Sequence, residues 1–484
     1  MKKILTLLLA LLLTASLASC GKDASSSEVS ASNSSNETSK SSENEITGMQ
    51  LDTNIATTIT FWHTMGNTGD KYNTLLKGIS DFQAMYPNIT VDEKSTGGGY
   101  DDAKDQIVSG IRIKETPNVA YAYPDHVALY NVAQRTRILD DFINDPVYGY
   151  TGDEIEDFVP AFWEEGSTFG DDSMYLLPFS KSTEVLYYNK TLFDDKGWTV
   201  PQTWDETYAL SQTILDSEKG QHKDADGNVI NVIPFGIDSG ANWFITMTEQ
   251  AKTPYTSLNA DGSGSYDFNT AENQAFVTSL KEKYNKGLVT TKGVHGGYVN
   301  INSEDPLFYM AIGSSAGCTY HIPSPVDGEY PFEVGVATIP QVNLDNKKVI
   351  SQGPDIVMLK SFNSDTHKAE QEELASWLFM KFLTSPEFSA QFSMASGYMP
   401  VRESSKDIPA FKTWLETADD GGNDNITATA AKVAMDQAEY YYTSVSFNGS
   451  STARAEMETL VTQVLASDKS VEELFATALS NCEF

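Results

Sequence analysis

Residues 57–62 read TTITFW, a β-branched and aromatic run with the alternation of a strand. Apolar residues at helical spacing follow from Lys71 to Tyr86 and stop before Pro87, where a proline ends a helix. Ile89–Val91 reads as a second strand, Ala103–Ile113 as a second helix, and Val119–Tyr123 (VAYAY) as a third strand closing at Pro124-Asp125. This β-α-β-α-β order predicts a parallel sheet covered by helices. Ligands of such sheets bind beyond the carboxyl ends of the strands, where His63 and Asp125 fall.

Further along, residues 178–190 read PFSKSTEVLYYNK. An apolar extended segment is interrupted by Ser180, Lys181, Ser182 and Thr183 and resumes as a strand. A polar break inside a buried strand is costly unless each group finds a partner. Downstream, Thr203 stands as an N-cap with Glu206 in the capping-box position. Asp226-Gly227 and Asp261-Gly262 mark tight turns, Leu374–Leu383 is an apolar helical stretch, and Ser385-Pro386-Glu387 opens another helix. No internal repeat is visible.

The N-terminus narrows the class. Lys2 and Lys3 precede an apolar run, Ile4–Leu13, and then Leu17-Ala18-Ser19-Cys20. This is the pattern of a secretory signal, too short in its apolar core to span a bilayer. The ending LASC resembles a bacterial lipobox, which implies acylation of Cys20. Residues 21–50 contain too few apolar groups to offset the entropy of ordering and are expected to form a flexible tether. The remaining length suits two domains or one large discontinuous fold. With 67 acidic against 33 basic residues and a net charge of −34, the chain is unsuited to nucleic acid or to anionic lipid. Cys318 and Cys482 are left as candidates for a disulfide.

Signatures of chemistry are sparse. The six histidines are scattered without an HExxH pattern, and no cysteines sit at zinc spacing. Asp224–Asn228 (DADGN) has its glycine misplaced for a calcium loop and reads as a hairpin turn. Gly313–Gly317 lacks the Lys-Ser/Thr of a phosphate loop, and no G-x-S-x-G elbow occurs. A spatial pair of carboxylates for glycoside hydrolysis stays open. Aromatic residues are plentiful enough to line a sugar-binding cleft, and Tyr100, on a loop between Gly97-Gly98-Gly99 and Asp101-Asp102, has little core to join.

Several motifs together resemble bacterial extracellular solute-binding proteins of the carbohydrate-uptake class, and within them the glycerol-3-phosphate-binding proteins. These are ITFWHTM (59–65), GGYDDA (98–103), PFSKSTEVLYYNK, PQTWDE from Pro201, YMAIGSSAG from Tyr309, QGPDIVML from Gln352, SGYMPV from Ser396 and STAR from Ser451. The resemblance implies a two-lobed α/β fold, periplasmic-binding-protein-like and of the maltose-binding-protein type, with an interlobe cleft and crossing hinge strands. On this reading residues 55–178 with 306–358 form the first lobe and 179–305 with 359–484 the second, after a signal at 1–20 and a tether at 21–50. PFSKSTEVLYYNK is then the first crossing, its polar groups satisfied by solute or water.

The resemblance also implies ligand contacts at Tyr100, Asp125, Ser182, Trp243, Ser315, Gly353, Tyr398 and Arg454. Asp125 stands where the family has glutamate, and Lys181 replaces a small polar residue, adding a charge or pointing to solvent. The implied function is that of a monomeric receptor, without enzymatic activity, cofactor or metal. It would be lipid-anchored on the outer face of the cell membrane, passing a sugar or glycerol-3-phosphate-type solute to the permease subunits of an ATP-binding-cassette (ABC) transporter. The alternatives are an exported glycan hydrolase and a sensor lipoprotein of the same fold.

Overall fold

The computed structural model describes residues 48–483. The expectations for residues 1–47, including the signal and the lipidated Cys20, lie outside the described residues. The expected tether ends earlier than residue 50. The Met49 amide donates to Asp145 Oδ2 at 2.6 Å, and Gln371 Nε2 donates to the Gln50 carbonyl at 3.0 Å, so the chain is docked from there onward.

A first sheet has five strands in the order Ile89–Ser95, Thr57–His63, Val119–Ala122, Asp355–Met358, Leu176–Pro178. The first three are parallel, as the β-α-β-α-β order predicts. Asp355–Met358 runs antiparallel between Val119–Ala122 and Leu176–Pro178. In Thr57–His63 every second residue (Thr57, Ile59, Phe61, His63) is buried, which is the period of a strand with one face on a core. The helices Asp70–Met85 and Thr366–Leu383 cover that face. Phe379 sits edge-on to both Phe61 and Phe82, with ring centroids 5.5 and 5.2 Å apart.

A second sheet is centred on Ser182–Asn189. Met310–Ser314 lies antiparallel on one side of it, and Val334–Ala337 and Val349–Gln352 on the other. Phe235–Ile237 and Val289–Thr291 extend the sheet in parallel beyond Met310–Ser314. A central strand paired on both edges is buried on both faces, and Val185, Leu186 and Tyr187 are fully buried. Thr203 caps the helix Trp204–Glu218 with Glu206 returning the capping box, as expected. Asp224 Oδ1 accepts the amides of Asp226 and Asn228, and Gly227 has φ +88°, so DADGN is a turn.

The lobe boundaries differ from the sequence reading. The sequence places residues 306–358 in the first lobe, yet Met310–Ser314, Val334–Ala337 and Val349–Gln352 all pair within the second sheet, and only Asp355–Met358 returns to the first. Conversely, Thr366–Leu383 and Pro386–Ser396, assigned to the second lobe, pack on the first sheet and on Asp70–Met85. The alternation of a strand shows that it is half-buried or buried but does not say which sheet it joins. Cys318 and Cys482 are both buried and unpaired. Among the described residues no helix is long and apolar enough to cross a membrane.

Two segments cross between the sheets side by side: Leu176–Pro178 continues through Ser180-Lys181 into Ser182–Asn189, and Val349–Gln352 continues through Gly353 into Asp355–Met358. Gly353 has φ +88°, and a Cβ there would lie 2.0 Å from the Ser180 carbonyl oxygen, so this crossing requires glycine. The polar break between the strands is satisfied by protein and not, as expected, by solute or water. Ser180 Oγ and Tyr121 OH are 2.9 Å apart, the Thr183 amide donates to Ser315 Oγ at 3.2 Å, and Thr183 Oγ1 donates to the Ile350 carbonyl at 2.8 Å. Lys181 is fully buried. Its ammonium meets Glu165 Oε2 at 2.8 Å, Asp355 Oδ1 at 3.1 Å and the Gly353 carbonyl at 2.9 Å. Burial alone would pull the Lys181 pKa down, but the two carboxylates outweigh it and hold it above its ordinary value.

Candidate ligand cleft

A cavity of about 690 Å³ opens between the lobes and is walled by both. The first lobe contributes Tyr100, at the start of the helix Tyr100–Ile113, and Asp125, in the first turn of Pro124–Val132 at the carboxyl end of a strand. Tyr100 is reached through Gly97 and Gly98, both at positive φ, a loop path that suits glycine. Its hydroxyl is 3.0 Å from that of Tyr398, and the Lys71 ammonium lies 5.4 Å from the centre of the Tyr398 ring. Burial raises the pKa of both phenols, so both remain hydrogen-bond donors at neutral pH.

The second lobe contributes Arg454 from the helix Ser450–Ala466 and Asp238 from the end of Phe235–Ile237. The Arg454 guanidinium donates to Asn242 Oδ1, and Asn242 Nδ2 donates to Gln352 Oε1 at 3.0 Å. Since Gln352 precedes the hinge glycine, this chain ties the cavity wall to the crossing strands. Glu458 Oε2 accepts the Ala241 amide at 2.8 Å, capping the helix Gly240–Ala251 with negative charge where its dipole is positive. His321 lines the cavity stacked on Tyr187 at 3.8 Å, and burial pushes its pKa down to about 3, so it is neutral. Among the described residues no group of His, Cys, Asp and Glu is arranged to hold a metal.

Of the eight residues that the resemblance pointed to, the cavity brings together Tyr100, Asp125, Tyr398 and Arg454. The other four do not line it. Trp243 is 3% exposed and packs edge-on against Phe276 in the second lobe's core, because its helix turns that face inward. Ser182 is buried with its hydroxyl 3.4 Å from that of Ser314, and it is Ser314 that faces the cavity. Ser315 is buried and occupied by the Thr183 amide. Gly353 serves the backbone crossing. The cavity also takes in Lys71, Asp238, Lys292, Gln352 and Glu458. Asp238 follows a strand directly, so the rule that places ligands at carboxyl ends of strands, applied to that strand, would have found it. Lys292 and Glu458 carry no such mark.

Two α/β lobes joined by paired crossing strands, with a polar cavity walled by both, define a clamp-type small-molecule-binding protein. Residues 77–419 match the bacterial extracellular solute-binding protein family, and the chain belongs to that family. The sn-glycerol-3-phosphate-binding periplasmic protein UgpB of Shigella flexneri is 24% identical over 376 residues, covering 73% of this chain and 76% of that protein. Among solved structures, the cyclic alpha-maltosyl-1,6-maltose binding protein from Arthrobacter globiformis shares the fold with a TM-score of 0.64 at 20% identity, over 88% of this chain and 97% of that one. UgpB from Mycobacterium tuberculosis, solved in complex with glycerophosphocholine, does so with a TM-score of 0.63 at 16% identity, over the same shares. The maltose-binding-protein-like fold expected from the sequence is therefore the fold found.

Proposed function

We propose that the cleft captures a polyhydroxylated solute of the sugar class and that the protein delivers it to the permease of an ABC importer, without transforming it. One observation carries the reading: tyrosines from both lobes line a single cavity, and Tyr298 and Tyr320 on the second lobe are 62% and 70% exposed there. Tyrosines this exposed contribute little to a core, and their faces suit the C–H surfaces of a sugar while neighbouring polar groups take its hydroxyls. A volume of about 690 Å³ exceeds what a three-carbon phosphate ester needs. Cys20, closing a LASC sequence, supports a lipid anchor that keeps the receptor at the outer face of the membrane.

A second reading has its own observation. Lys71, Lys292 and Arg454 line the cavity and none has a carboxylate within ion-pair distance among the described residues, which favours a phosphate diester. A thermal-shift panel on the chain from Gly48 onward separates the two. At a hundred times its dissociation constant a ligand adds about 2.7 kcal/mol. Stabilisation by maltose, maltotriose or ribitol supports the sugar reading. Stabilisation only by glycerol 3-phosphate or glycerophosphocholine replaces it, and no response to any of these removes both.

A further inference from the structure

Three polar atoms in the second lobe's wall of the cleft are buried without a hydrogen-bond partner in the described chain: Asp238 Oδ1, Gln352 Nε2 and Thr443 Oγ1. A buried polar group left unpaired is destabilising, and folded proteins pair nearly all of them. Three such atoms on one cavity wall are groups that a solute, or water in its absence, can pair from the cavity. Their chemistry is complementary: a carboxylate that only accepts, an amide NH2 that only donates, and a hydroxyl that does either. The fold positions two of the three residues. Gln352 Oε1 accepts from Asn242, which fixes the amide so that its nitrogen is the free end. Asp238 is positioned by its own amide, which donates to the Ile312 carbonyl at 3.0 Å.

We propose that Asp238, Gln352 and Thr443 form the second lobe's solute subsite, selecting a ligand segment that both donates and accepts hydrogen bonds, as adjacent hydroxyls of a sugar or alditol do. The proposal rests on the cleft being the solute site for a hydroxylated ligand. A phosphate group, which accepts almost exclusively, leaves Asp238 without a donor. The subsite also lies next to the hinge, since Gln352 is bonded to the pocket wall through Asn242 and is followed by Gly353.

The test uses near-isosteric changes that keep side-chain volume: Asp238→Asn, Gln352→Glu and Thr443→Val. Gln352→Glu keeps the acceptor for Asn242 and removes only the donor. Affinity is measured by calorimetry for maltose, maltotriose and ribitol, and each unliganded variant is melted in parallel. The expected result is at least a tenfold loss of affinity for Asp238→Asn and Gln352→Glu and about fivefold for Thr443→Val. The unliganded melting temperature of Thr443→Val should stay level or rise, because an unpaired hydroxyl has been removed. A purely structural role would lower the melting temperature and spare the affinity. Unchanged affinity in all three variants, with wild type binding one of the probes, overturns the subsite and leaves the functional reading standing. Failure of wild type to bind any of them overturns the functional reading, and this proposal with it.

Discussion

Replacing Lys181 by methionine tests the account of the polar break between the two crossing strands. The ammonium is fully buried with its partners at 2.8, 3.1 and 2.9 Å, and the Glu165 and Asp355 side chains are each 2% exposed. Removing one member of a buried ion group leaves the others uncompensated, at a cost of about 3–5 kcal/mol. With an unfolding entropy of about 2.1 cal/mol/K per residue, the roughly 430 described residues give about 0.9 kcal/mol/K, so Lys181→Met should melt about 3–6 °C below wild type. The deficit should depend on pH. Burial already holds the Asp355 carboxyl well above the usual range, against the pull of Lys181. Without the lysine Asp355 shifts further up, so the folded variant holds a proton that the unfolded chain releases. A carboxylate whose folded pKa is raised destabilises the fold above that pKa and recovers as pH falls through it. The gap to wild type should therefore narrow from pH 8 to pH 5. Converting the whole group, in Glu165→Gln/Lys181→Met/Asp355→Asn, should restore most of the loss, because desolvation offsets much of what a buried ion group gains. Calorimetric melts across pH decide the matter. A loss under about 1 °C, or a gap that does not vary with pH, would show that the triad does not hold the crossing.

Trp243→Ala should cost about 3–5 kcal/mol by opening a core cavity, with the solute affinity of the folded fraction unchanged; a selective loss of binding at normal stability would return Trp243 to the cleft. Gly353→Ala should destabilise by at least about 1–3 kcal/mol from its backbone conformation, before the 2.0 Å contact with the Ser180 carbonyl is counted, and a melt equal to wild type would refute a steric role. Solute affinity should fall as pH drops below about 6. Burial, with a smaller contribution from Glu458, pushes Asp238 up to about 6 against the opposing charge of Lys292, and a protonated carboxyl is a poorer acceptor. The slope is at most tenfold per pH unit for one proton, and titrating the dissociation constant of the best sugar probe from pH 8 to 5 measures it. Glu184, which burial raises to about 7 and which faces Asp238, Asn242 and Arg454, is the control: if Asp238→Asn keeps the pH slope, Glu184 carries it.

The first lobe was legible because its signals are local. The alternation in TTITFW, the stop at Pro87 and the strand ending at Pro124-Asp125 each reflect a few neighbouring residues, and the strands they predict are present with small shifts of boundary. The lobe assignment of residues 306–358 failed because sheet membership is a long-range property: Ile312 pairs with Leu186, far away in the chain, and nothing in MAIGS records that. The candidate site divided in the same way. Tyr100 and Asp125 sit where local rules place ligand-binding residues, on a glycine-rich loop and at a strand end. Trp243 carries no local mark that distinguishes a core tryptophan from one in a cleft. Lys181 carries no local mark of burial, because a lone lysine in a polar run is ordinarily solvated, and its two carboxylates, Glu165 and Asp355, come from distant segments.

Those same distant segments make the floor of the cleft and the hinge one structure. Glu165 lines the cavity, holds Lys181 at 2.8 Å and accepts Ser351 Oγ at 2.8 Å, while Gln352, the next residue, faces the cavity and precedes the hinge glycine. A solute favours one arrangement of two lobes only by the contacts it makes more strongly there. In this cleft Tyr100 and Asp125 approach from one lobe and Asp238 and Arg454 from the other, so on the function proposed above a solute touching both sets would fix the angle between them. The crossing cannot absorb that angle at Lys181, which is held in place by three partners, nor stretch through the bonded pairs of Ser182 and Thr183 with Gln352 and Ser351. Gly353, at φ +88°, lets the second crossing pass close to the Ser180 carbonyl, one residue from the amide that we assign to the solute.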